Sequence, residues 1–129
     1  VNKLITLPFL PISLNRLYKN WGGRITISKE GRDFVDMCTA HLLQYELKDF
    51  GKTYQGNGII LHLTFYTPKF YTKAGQISNV AIDVGNSEKK LVDLIFKQMK
   101  VNDGQITSML IERRYDKTAR TEVMISFIE

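Results

Sequence analysis

A small set of side chains in the second half of this chain could do chemistry together. Within AIDVGNSEKKLVD, residues 81 to 93, stand Asp83, Asn86, Lys89 and Asp93, and Asp103 follows ten positions later. Carboxylates can hold a divalent cation, and Gly85 occupies the place where a second one would complete such a site. Lys89 and Asp93 are four apart, so on a helix they share a face and form a surface pair worth about a few tenths of a kcal/mol. Taken singly, each of these residues reads as solvated surface. Their combination within twenty residues, next to a basic loop, is what suggests a site. A helix of about 15 residues separates Asp83 from Asp103 and spans roughly 22 Å, so its ends cannot share a metal if it is straight. Either the helix is shorter, or the chain turns back between Met99 and Asp103, where Asn102 to Gly104 are turn formers.

The elements that must position these residues follow from periodicity. Leu4, Thr6 and Phe9 form a short β-prone segment closed by Pro8 and Pro11, which places it near a sheet edge. SLNRLYKNWGGRITIS then reads as an irregular basic loop, with a turn at Gly22 and Gly23 and a brief strand from Arg24 to Ile27. Ser28 stands where a helix N-cap belongs, and Phe34, Val35, Cys38, Leu42 and Tyr45 recur at helical spacing to about residue 48. After the turn formers of Gly51 to Gly58, IILHLTFYTP alternates as a central strand, with Ile60, His62 and Thr64 on one face and Leu61, Leu63 and Phe65 on the other. KFYTKAGQISNVA reads as a loop. Leu91, Val92, Leu94, Ile95 and Met99 mark a second helix, and QITSMLIERRY and TEVMISFIE close the chain as strands around DKTAR. The expected order is β-β-α-β-α-β-β: an α/β (α+β) fold with two helices on one face of a small mixed sheet, built as a single domain over residues 1–129.

Composition narrows the function. The chain has 129 residues, 43% of them apolar, enough for one core. A formal charge of +5 favours a polyanionic partner. One cysteine excludes an internal disulfide framework, and with two histidines it cannot complete a structural zinc site. The opening VNKLITLPFLPISL mimics a signal peptide, but Pro8 and Pro11 interrupt it and no cleavage site follows. With no apolar stretch near the ~20 residues of a membrane span, the expectation is a cytoplasmic protein without membrane contact.

The run Asp83-x-Gly85-Asn86-x-x-Lys89-x-x-x-Asp93-x-Ile95, followed by Asn102-Asp103-x-Gln105-Ile106, resembles the RusA-type Holliday junction resolvases. Their signature reads D-x-D-N-x-x-K-x-x-x-D-x-L and then D-D-x-Q-V. TLPFLPISLNRLY, with its Asn15-Arg16 pair, and ISKEGRDF resemble further segments of that family. The resemblance implies a homodimeric, structure-specific endodeoxyribonuclease that resolves four-way DNA junctions by Mg²⁺- or Mn²⁺-dependent phosphodiester hydrolysis. It implies Asp83 and Asp103 as metal ligands, Lys89 as the catalytic cation beside the scissile phosphate, and Asn86 and Asp93 in support. Asn15, Arg16, Arg24, Lys69, Lys73 and Lys90 are candidates for DNA contact. Aromatics at Phe65, Tyr66, Phe70 and Tyr71 could stack on bases, although Phe65 fits a core better, and Trp21 could touch DNA or lie on the core. A junction-cutting enzyme this small suits a bacterial or phage-infected cell.

Two departures stand against this. Gly85 replaces the family's second aspartate and Asn102 the first of its Asp-Asp pair, and both changes weaken a cation site. Glu88, three residues after Gly85 on a helix expected to begin near Asn86, is a candidate to reach back to the vacant place. The alternative function is a protein of the same fold that binds branched DNA or a protein partner and cuts nothing.

Overall fold

The structure, a computed structural model, describes residues 2–77 and 88–128. Its main sheet has the order β1 (Asn2–Leu7), β6 (Arg120–Phe127), β4 (Ile59–Thr67), β5 (Ile106–Tyr115). β6 pairs antiparallel with both β1 and β4, whereas β4 and β5 run parallel. The sheet is therefore mixed, with β1 at an edge and β4 inside, as Pro8 and the alternation of residues 59 to 67 predict.

Period-two patterning gives the sheet one covered face. Ile5 and Leu7, Leu61, Leu63 and Phe65, and Val123 and Ile125 are all buried under the helices. Fully burying each such side chain stabilises the fold by about 1.5–3 kcal/mol. The covering layer consists of α2 (Lys29–Leu42), α3 (Leu47–Thr53) and α4 (Lys89–Met99). The face expected to carry two helices thus carries a third, short one. Cys38 is buried in this layer, and burial pushes its thiol up to about 12, so it is an inert core residue.

The third helix arises where one continuous helix was expected. Ser28 does cap α2, its Oγ accepting from the Gly31 N–H at 2.9 Å. The helix ends at Leu42 instead of near residue 48, tightens to a 3₁₀ turn over Leu43–Tyr45, and breaks at Glu46, whose φ of +52° is left-handed. Tyr45 enforces this. Its hydroxyl donates to the Thr6 carbonyl at 2.8 Å and accepts from the Thr6 N–H at 3.0 Å, anchoring the chain on β1. Gly51, expected in a turn, lies inside α3, where a Cβ would meet the Met99 carbonyl oxygen at 2.3 Å. Helical patterning reports which residues are apolar; it does not report a backbone approach that only glycine permits.

The basic loop is also more ordered than expected. Leu14–Leu17 forms one helical turn, α1, and Tyr18–Trp21 forms a strand, β2, paired antiparallel with β3 (Arg24–Ile27). Gly22 and Gly23, with φ of +56° and +83°, make the two-residue connection, which demands positive φ at both positions. This hairpin is not part of the main sheet.

Candidate functional site

Chain direction decides which residues can meet. α4 is the crossover between parallel neighbours β4 and β5, so it runs back against them. Its first residue, Lys89, belongs to the end of the sheet where β4 finishes, and its last residues belong to the end where β5 begins. α2 runs parallel to α4: the Gln98 side chain donates to the Thr39 carbonyl at 3.0 Å, and one turn earlier Leu94 and Val35 line the same groove. Both helices therefore present their N-termini to the same end. β1 also finishes there, since it runs parallel to β4 on the other side of β6. That end accordingly collects the chain leaving β1, the start of α2, the loop leaving β4, the start of α4 and the β5–β6 turn.

The charge at this end is mostly positive. Lys89 is exposed and Lys90 half-buried at the first turn of α4, with no acid in that turn and no side-chain cap on it. Two cations at a helix N-terminus oppose the macrodipole, an arrangement that an incoming anion relieves. Lys69 and Lys73 are exposed on the loop after β4, as is Lys117 in the β5–β6 turn. Asn15, Arg16 and Arg24 are exposed beside or on the hairpin, Arg16 being paired with Glu30. Asp93 is exposed one turn along α4 from Lys89.

Glu88 sits immediately before the helix. Burial raises its carboxyl above the usual range and Asp93 adds to the rise, while Lys89 opposes it. α4 spans Lys89–Met99, with Glu88 at its N-cap position, so the expected reach from Glu88 to Gly85 falls on residues outside those described. Asp83, Gly85 and Asn86 themselves lie outside the described residues.

Asp103 is at the other end. α4 runs eleven residues from Lys89 to Met99, which places these two about 15 Å apart along the helix. The chain does not then turn back. Lys100, left-handed at φ +57°, ends the helix, and a 3₁₀ turn at Asp103–Gln105 leads directly into β5. The Asn102 side chain accepts from the Gly104 N–H at 2.7 Å, and the Gln105 side chain donates to the Asn57 carbonyl at 2.9 Å. Asn102 is thus a turn cap, a role that needs a side-chain oxygen but no charge. Among the described residues no three His, Cys, Asp or Glu side chains gather as a metal site, and Asp103 and Lys89 lie at opposite ends of α4.

Part of the basic second half is spent internally. Arg114 bonds Glu112 at 2.9 Å, and Arg120 pairs with Asp116 at 2.8 Å and Glu122 at 3.0 Å while lying 3.7 Å over the Tyr66 ring. Arg113 lies over the Phe70 ring. The Arg114 guanidinium, then His62, hold the Glu112 carboxyl below its ordinary range, and Arg120 does the same to Asp116. His62, which has no partner at metal-ligand spacing in the sequence, is 2.5 Å from Glu112 across the β4–β5 pair. No local pattern announces a parallel neighbour fifty residues away.

The family model for Endodeoxyribonuclease RusA matches residues 8–126, nearly the whole chain. Among curated proteins no match is found. No helix among the described residues is long and apolar enough to cross a membrane.

Proposed function

The chain belongs to the endodeoxyribonuclease RusA family, and we propose that this member, working as one domain, cuts four-way DNA junctions as a homodimer with Mg²⁺ or Mn²⁺. Family membership supports a Holliday junction endonuclease in general, with branched DNA as ligand and a divalent metal as helper. The observation that carries the reading for this chain is the basic end of the molecule. Lys69, Lys73, Lys89 and Lys90 stand there beside the uncapped N-terminus of α4, and the segment bearing Asp83 leads straight into it. Hard carboxylate oxygens suit Mg²⁺ or Mn²⁺, which would activate the water and offset charge on the phosphate, while Lys89 stabilises the developing oxyanion.

The position of Asp103 shapes the proposal. It lies about a helix length from Lys89, and we take the two to serve one site only when two chains combine. Two copies related by a two-fold axis would do so, with Asp103 from one and the Asp83 to Lys89 segment from the other. We place the second copy on the face of the sheet that the described helices leave exposed. There Leu4, Met124, His62 and Leu110 form one cross-strand row, with Leu4 47% and Leu110 53% exposed. A binding protein that cuts nothing is the competing reading, favoured by the loss of carboxylates at Gly85 and Asn102.

The test is complementation on a synthetic four-way junction with Mg²⁺. Asp103→Asn and Lys89→Ala homodimers should each be inactive. A mixed dimer of the two regains one intact composite site and should nick one strand. Mixed dimers that stay inert, while wild type cuts, would place both residues in separate roles within one chain. Inert wild type with tight junction binding would establish the competing reading. Leu110→Asp should shift the light-scattering mass to about 15 kDa if the uncovered sheet face is the dimer surface.

A further inference from the structure

The β2–β3 hairpin has one face that the catalytic reading does not use. Strand alternation puts Lys19 and Trp21 on that face, and antiparallel register adds their direct partners, Thr26 and Arg24. Trp21 is therefore set between two cations: Arg24 opposite it, and Lys19, whose Nζ lies 5.7 Å from the indole ring centroid. All of β2 is exposed, Trp21 by 72%, and Ile25 on the opposite face by 78%. Such a tryptophan contributes nothing to the core. Its position is nonetheless fixed, because the two glycines of positive φ define the turn and the Ser28 hydroxyl donates to the Arg16 carbonyl at 2.6 Å at the hairpin's base.

Charge indicates the partner. Residues 1 to 29 contain five Lys and Arg and no Asp or Glu, so nothing on the hairpin answers its cations. An aromatic ring flanked by cations is the arrangement that holds an unstacked base by its face and the neighbouring phosphates by their charge. In a continuous duplex each base is already stacked on both sides, whereas a branch point leaves bases open to a new partner. We infer that the β2–β3 hairpin is a branch-point reader, with Trp21 stacking on an unpaired or unstacked base and Lys19 and Arg24 on its flanking phosphates. The inference rests on the junction-binding reading and adds to it the group that would distinguish branched from linear DNA.

Trp21 is the sole tryptophan, so its emission reports on this contact directly. The experiment titrates metal-free protein with a four-way junction and with a linear duplex of the same arm sequence, reading emission and DNA anisotropy together. Stacking should quench the emission on the junction and leave it nearly unchanged on the duplex. Trp21→Ala should weaken junction binding about 5- to 100-fold, the loss of one base stack, with little effect on the duplex, and Trp21→Phe should recover most of it. The double change Lys19→Ala and Arg24→Ala should lower the slope of log affinity against log salt by roughly two. Unaltered emission and unaltered Trp21→Ala affinity, on a junction that still binds, would overturn the inference and leave the family reading standing. Equal losses on junction and duplex would overturn it too, as a plain groove contact. Absence of binding to any DNA would remove both readings.

Discussion

The two ends of α4 are built on opposite principles. At its C-terminal end Met99 and Val101 are buried, Gly51 lets α3 approach the Met99 carbonyl, Lys100 takes a left-handed φ, and Asn102 and Gln105 tie the following turn by side-chain hydrogen bonds. At its N-terminal end Glu88 supplies no cap, two lysines oppose the dipole, and exposed basic loops surround the opening turn. The first arrangement holds the crossover in register between two parallel strands. The second leaves the first turn of α4 without a side-chain cap or an acid of its own, with exposed lysines beside it among the described residues. Stability and binding are therefore separable along one helix, and substitutions at either end should show it.

The largest effect is expected from Lys89→Ala. On the proposed reading, losing the cation assigned to the scissile phosphate should cut the nicking rate by about 10²–10³-fold while the denaturation midpoint stays put. A parallel fall in stability would mean that the N-terminal end is structural after all. Gly51→Ala should do the reverse. Its Cβ would strike backbone, which a side-chain rotation cannot relieve, so urea unfolding should show a loss of about 1–3 kcal/mol or more. Asn102→Ala should cost roughly 1 kcal/mol through the lost turn bond, whereas Asn102→Asp keeps the oxygen and should be near neutral in the same measurement.

The smallest effect concerns Glu88. Because burial raises its folded-state pKa above the unfolded value, the folded chain binds this proton more tightly. Stability from this group should therefore rise as pH falls through the raised value and level off below the ordinary carboxylate range. Glu88→Gln should remove that increment and slightly stabilise the protein at neutral pH. An unchanged stability–pH profile between 4 and 7 would show that the carboxyl is not paying for its burial.

Much of the architecture was legible because it is local. Alternation along residues 59 to 67, the Ser28 cap and the apolar stripe of α4 each depend on neighbours within a few positions. Two of the misreadings involve distant partners. The break at Glu46 depends on Tyr45 reaching Thr6, and the helical state of Gly51 depends on Met99. The β2 strand was hidden because YKNW is polar and fully exposed, and only the paired glycines signalled its hairpin. For the site, motif spacing brought Lys89 and Asp103 to notice, and helix length raised their separation without deciding whether the chain turns back. Two residues fourteen positions apart look close in sequence, yet a crossover helix carries them to opposite ends of the sheet.

One feature of that sheet bears on how the molecule comes into being. β6, the last strand in the chain, lies between β1 and β4, and Asn2 pairs with Ser126 from more than a hundred residues away. Closing so long a loop is entropically expensive and tends to be slow. A chain emerging from a ribosome would hold β1 and β4 without the strand that joins them until residues 120–127 are made. Products that stop short of β6 should therefore lack the assembled basic end and be inert toward DNA.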